Sequence, residues 1–196
     1  LGAVLVPINY RLTSDDFAYV IQHSGATVVC AHADHLEAVA KVRPGLSGVR
    51  HFVALEGAWR GQSTRGWTDE TKFRTIASGS AVLSTTFDAH PGETMVTIFT
   101  VNGDALELVH YCAAKKAPRL RATRIAGGGR EVSFTFVDGA NVPTRDRGHM
   151  DAAVYRFNDD GTVTTRWSWY EKGKERWMEE IALVRIRLAA ERAPPA

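Results

Sequence analysis

Two incompatible periodicities divide this chain of 196 residues. From about Trp59 to Leu188, apolar and polar residues alternate at period two in short runs, with Gly, Asn and Asp turn signals between them. From Leu1 to about Leu55 the pattern is strand, helix, strand, helix, strand. A βαβαβ run followed by an all-β run predicts two units, because parallel strands need helical crossovers and short antiparallel strands do not. The expected organisation is a small α/β fragment over 1–55, a mainly β unit over 57–188 and a disordered tail over 189–196.

In the second part, Leu106, Leu108, His110 and Cys112 share one face of a strand, with Glu107, Val109 and Tyr111 on the other. Val132, Phe134 and Phe136 oppose Ser133, Thr135 and Val137 in the same way. Asn102-Gly103, Gly127-Gly128-Gly129, Asp159-Asp160-Gly161 and Lys172-Gly173 mark tight connections. Such short connections join antiparallel neighbours, and about ten strands in one small unit are expected to curl and close, which removes the exposed edges.

In the front segment, Gly2 to Ile8 is a continuous apolar run ended by Pro7, as expected of a buried parallel strand. It has no basic residue ahead of it and does not read as a signal peptide. A start at Leu1 rather than Met fits a truncation, an alternative start codon or a fragment. Thr13 or Ser14 is placed to cap a helix carrying Phe17, Ala18, Val20 and Ile21, and Thr27–Ala31 and His51–Leu55 read as further strands.

The bulk numbers exclude little and favour a soluble chain. Hydrophobic residues make up 44% and charged ones 23%, enough for a core and an ordinary surface. A net charge of +2 is too small to argue for nucleic acid or a membrane surface, and neither is expected as partner. No apolar run reaches membrane-spanning length, so a cytoplasmic location is expected. Cys30 and Cys112 fall in different parts and read as reduced thiols. Among the seven histidines only His32 and His35 are close, and neither has metal-ligand spacing, so no metal and no cofactor are expected.

The stretch GAVLVPINYRLTSDDFAYVIQHSGATVV resembles the adenylate-forming acyl-CoA synthetase (AMP-binding) superfamily over about residues 1–55. In that family this part is scaffold. The activity belongs to a phosphate loop ending Pro-Lys-Gly, an aromatic-Gly-Thr-Glu motif and a lysine of a mobile C-terminal domain, none of which occurs here. Gly127-Gly128-Gly129-Arg130 is no substitute, because no apolar strand and capped helix flank it. No catalytic residue carries over.

Gly57-Ala58-Trp59 before the first barrel strand resembles the Gly-x-Trp signature of lipocalins and other calycins. The runs GWTDETKFRTIASGSAVLSTTF, HYCAAKKAPRLRAT, RDRGHM and WSWYEKGKERWMEE resemble small uncharacterised lipocalin-like β-barrel proteins of bacteria. The resemblance covers about residues 57–188 and implies an up-and-down antiparallel barrel with an interior cavity. It also implies a basic residue of the last strand packed over Trp59, with Arg185 and Arg187 as candidates. Haem-carrying relatives place the axial histidine near the chain end, and no histidine follows His149.

Candidate ligand-binding residues are His110, on the face shared with Leu106 and Leu108, and Arg119 and Arg121, which would grip a carboxylate if they face inward. Arg121 would need an anionic partner when buried, either Glu175 or the acidic head of a ligand. Trp167 and Trp169 share one parity on the last hairpin and are expected inside with His110. Arg145, Asp146 and His149 form a dense loop cluster read as a cavity mouth, with Asp146 and His149 as an acid/base pair. Each has a plainer reading: a satisfied core histidine, solvated outer-wall arginines, cross-strand aromatic packing and a surface salt-bridge network. The leading expectation is a barrel binding a small, mostly apolar ligand, anionic if the arginines face inward, without catalytic machinery. The alternatives are a non-catalytic fragment of an AMP-forming ligase and a barrel enzyme with His110 or His149 as general base.

Overall fold

The computed structural model of the chain describes residues 6, 8–9, 11–31, 35–49, 51–53, 56–77, 80–90, 93–103, 105–127 and 129–186. It divides into two compact units, Leu1–Glu56 and Gly57–Ala196.

In the first unit, helix α1 (Ser14–His23) begins with a capping box. The Thr13 hydroxyl accepts from the Asp16 amide, and the Asp16 carboxylate accepts from the Thr13 amide at 3.0 Å. Phe17 and Ile21, one helical turn apart, are buried with Val29 and Leu46 in a small core. Strands β1 (Val28–Cys30) and β2 (His51–Val53) pair in parallel, with helix α2 (Leu36–Val42) and a 3-10 turn between them. The apolar run at Gly2–Ile8 lies mostly outside the described residues.

The second unit is a closed barrel of ten antiparallel strands. In chain order they are β3 (Gly57–Ser63), β4 (Thr68–Ile76), β5 (Ala81–His90), β6 (Glu93–Asn102) and β7 (Ala105–Tyr111), then β8 (Ala117–Ala126), β9 (Glu131–Ala140), β10 (His149–Phe157), β11 (Val163–Glu171) and β12 (Lys174–Ile186). Each strand pairs with its sequence neighbours, and β12 closes the ring on β3 from Ile181↔Ser63 to Ile186↔Ala58. Closure leaves no unpaired edge.

All strands run antiparallel, so the start of β3 and the end of β12 share one end of the barrel with the end of β10 and the start of β11. Trp59 lies at that end, 3% exposed, and pairs in register with Arg185, whose guanidinium sits 4.3 Å from the indole centroid. Gly57 adopts φ +117, a conformation strained for other residues, and a Cβ there would meet Arg185 Nη1 at 2.7 Å. The Gly-x-Trp spacing thus has a local cause, since the glycine leaves room for the arginine over the indole. Arg187 lies outside the described residues.

The interior of this half is filled. Leu108 and Leu120 face each other in register with no exposure, and Phe99, Phe134 and Tyr155 make edge contacts at centroid distances of 5.4 to 6.2 Å. The inward parity of Leu108 carries His110 inside and leaves Glu107 and Tyr111 on the outer wall.

Candidate functional site

Above this packed half lies a chamber lined by hydroxyl, carboxylate and aromatic side chains. Thr71, Ser84, Thr86, Thr97 and Thr165 supply hydroxyls, Asp69 and Glu179 supply carboxylates, and His110, Tyr155 and Trp167 supply rings. Its free volume is about 30 Å³, room for about two water molecules at the usual 10–15 Å³ each. The carboxylates are buried but hydrogen-bonded: Thr71 Oγ1 donates to Asp69 Oδ2 at 3.0 Å, and Ser63 Oγ donates to Glu179 Oε2 at 2.8 Å. Tyr155 is fully enclosed, and burial, with the Asp69 charge adding to it, pushes its phenol pKa up.

His110 is the polar centre of this chamber. It is 4% exposed, its Nδ1 lies 2.8 Å from Thr97 Oγ1, and its ring packs against Trp167 at 4.7 Å. Its Nε2 is buried with no hydrogen-bond partner among the described residues. Burial lowers the imidazole pKa to about 4, so the ring is neutral at pH 7.

At the end opposite Trp59, the chamber meets a wider vestibule of about 330 Å³, lined by Glu93, Met95, Cys112, Ala113, Ala114, Met150, Trp169 and Met178. Met95 and Met150 line both spaces. The Trp169 indole is held against backbone: a Cβ on Gly148 would come within 2.5 Å of its ring, Lys116 lies 5.5 Å from its centroid, and Lys116 Nζ donates to the Gly148 carbonyl. Gly148 is therefore required by the close approach of Trp169.

Several expected site residues stand elsewhere. Arg121 does not face inward with His110; its side chain is 47% exposed on the outer wall and pairs with Glu107 at 2.6 Å. Arg119 joins the same outer network, with Glu107 Oε2 at 2.9 Å and Asp138 Oδ2 at 2.6 Å. The cause is parity: Leu108 and Leu120 pair inward, so Glu107, Arg119 and Arg121 point out. Hydrogen bonds from Arg121 and then Arg119 hold the Glu107 carboxyl below its usual range. Little of Glu107 is exposed because its two partners cover it, not because it lies in the core. Glu175 is exposed near the β11–β12 turn and is not the partner of Arg121; Glu107 is.

Trp167 and Trp169 separate too: the first lines the chamber, the second only the vestibule. The side chain of Trp177 lies outside the described residues. The expected pair of Asp146 with His149 is corrected as well, because Asp146 is exposed and His149 has no exposure and bonds to other groups. His149 Nδ1 lies 2.6 Å from the Arg147 carbonyl and Nε2 lies 3.2 Å from Asp151 Oδ1, while Arg145 pairs with Asp151 at 3.0 Å and covers Tyr170. Arg145, Asp146 and His149 line neither the chamber nor the vestibule. Arg145 and His149 meet at Asp151 in a polar joint rather than a mouth, and Asp146 lies exposed outside it.

Sequence reasoning missed Asp69, Thr97, Glu179 and all three methionines. Thr97 was findable from parity on β6, whereas Asp69 and Glu179 read as ordinary charged strand residues. Among the described residues no three His, Cys, Asp or Glu side chains converge as a metal site, and no helix is long and apolar enough to cross a membrane. Comparison with models of known families and with curated proteins finds no match. Neither resemblance therefore gains a named relative.

Proposed function

We propose that the barrel is a binding module that holds a small molecule by a polar group placed in the chamber, with His110 as the fixed hydrogen-bonding contact. One observation carries this reading. His110 Nε2 is buried, lines a cavity with free volume and has no partner among the described residues. An unsatisfied buried polar nitrogen costs about 1–3 kcal/mol, which a ligand atom at hydrogen-bond distance would recover. Polar groups held in place like this fix the orientation of a ligand. The chamber volume limits what enters to a group of one or two heavy atoms, so the bulk of any larger ligand stays outside it.

The chamber also bears on charge. Arg119 and Arg121 belong to the outer wall, while Asp69 and Glu179 line the inside, which disfavours an anionic head. A catalytic reading has less support. Both His149 nitrogens already face acceptors, and a pKa near 4 makes His110 a weak base.

The test follows the ring nitrogens of the seven histidines by long-range proton–nitrogen NMR during titration with ethanol. Ethanol should move the His110 Nε2 resonance, and the His110→Phe protein should show no saturable response. No shift at His110 with saturating ethanol would remove the proposal.

A further inference from the structure

The chain contains three methionines, Met95, Met150 and Met178, and all three line the vestibule. They come from β6, β10 and β12, so their meeting is a product of barrel closure rather than of sequence proximity. Unbranched thioether side chains adapt to ligands of varied shape and favour aromatic neighbours, and Trp169 supplies the aromatic wall. Cys112 and Ala113 complete an apolar lining in which Glu93 is the single charged residue. The vestibule is thus an apolar receptacle placed end to end with a polar chamber, and Met95 and Met150 belong to both.

We infer that the ligand is a neutral amphiphile, an aliphatic alcohol in chemical class, with its hydroxyl at His110 Nε2 and its hydrocarbon tail in the methionine vestibule. The inference rests on the chamber reading above and adds the head chemistry and the place of the tail. A hydroxyl fits His110 in either tautomer, because it both donates and accepts while a neutral imidazole nitrogen does one or the other. A carboxylate head only accepts and would enter a chamber lined by Asp69 and Glu179. An ammonium head is attracted by Asp69 and Glu179, but it only donates, so it meets His110 Nε2 in one tautomer only, and its whole hydration shell must be exchanged within about 30 Å³. The two volumes agree with this division, since about 30 Å³ takes a hydroxyl and its carbon while about 330 Å³ takes the tail.

Isothermal titration calorimetry of the whole chain with ethanol, 1-butanol, 1-hexanol and 1-octanol reads the tail. Affinity should rise about fourfold per methylene until the vestibule is filled, the factor expected for burying one CH₂. Octanoate and octylamine, equal in tail length, should bind at least tenfold more weakly than 1-octanol. Ala113→Phe, which narrows the vestibule, should flatten the chain-length series while ethanol still moves the His110 resonance. Met178→Ala, which only removes lining, should weaken 1-octanol binding and leave the ethanol response intact. A flat series in the wild-type protein with ethanol still bound overturns the tail assignment alone. Octanoate or octylamine binding as tightly as 1-octanol overturns the hydroxyl head. If ethanol fails to reach His110, the chamber reading falls and this inference falls with it.

Discussion

His110 should limit the acid stability of the barrel. In the folded protein its pKa is lowered from 6.5 to about 4 by burial, so the unfolded chain takes up the proton first as pH falls. Stability is fully present above pH 6.5, drains between 6.5 and about 4, and levels below that because both states are then protonated. Between pH 7 and pH 4.5 this group alone removes about 2 kcal/mol, with 1.36 kcal/mol per unit of pKa difference. The perturbation that isolates it is the pair His110→Phe with Thr97→Val. His110→Phe alone would strand the Thr97 hydroxyl, now bonded at 2.8 Å and 3% exposed. Removing both groups discards one hydrogen bond worth about 0.5–1.5 kcal/mol and one unsatisfied nitrogen costing about 1–3 kcal/mol, so the double variant should match or exceed wild-type stability at pH 7. The assay is urea unfolding from pH 7 to pH 4.5 followed by tryptophan fluorescence. All five tryptophans lie within residues 59–177, so the signal reports the barrel unit. Asp69, Glu179 and Tyr155 face the same chamber and are common to both proteins, so the difference between the two pH profiles belongs to His110. Wild type should lose about 2 kcal/mol more than the double variant over this range. Parallel profiles would refute the picture of an imidazole held neutral by burial.

Leu108→Ala should cost about 2–5 kcal/mol, because Leu108 is fully buried against Leu120, whereas Tyr111→Ser, on the exposed face of the same strand, should change stability by less than about 0.5 kcal/mol. Equal effects in urea unfolding would show the parity of β7 to be wrong. Arg185→Ala should lower barrel stability by about 1 kcal/mol and red-shift the Trp59 emission as the indole gains solvent. An unchanged spectrum would show that the guanidinium does not cover the ring. Deletion of residues 1–56 should leave the cooperative melt of the barrel in place, since Phe17, Ile21, Val29 and Leu46 form a core of their own. Loss of that melt would mean the two units fold as one.

The barrel was legible because it depends on short-range information. Alternation through Leu106, Leu108 and His110 fixed which face is buried, and turn residues such as Asn102-Gly103 set the antiparallel connections. The capped helix at Thr13 was equally local. The inward facing of His110 followed from the same parity, and so did the outward facing of Tyr111.

What failed were statements about partners across strands. An inward Arg121 calls for an anionic partner, for which Glu175 is the candidate in the sequence, but register places Arg121 beside Glu107 on the outer wall. His149 was read against Asp146, three residues away, while a bulge between Met150 and Ala152 accompanies its actual contact with Asp151. Met95, Met150 and Met178 carry no mutual signal in the chain, and only closure of β12 onto β3 draws their strands around one space. Periodicity acts through neighbours a few residues apart and so determines the strands, their buried faces and the turns. Charge pairing, chamber volume and the junction of chamber with vestibule depend on stagger and closure, which are set by the packing of all ten strands together.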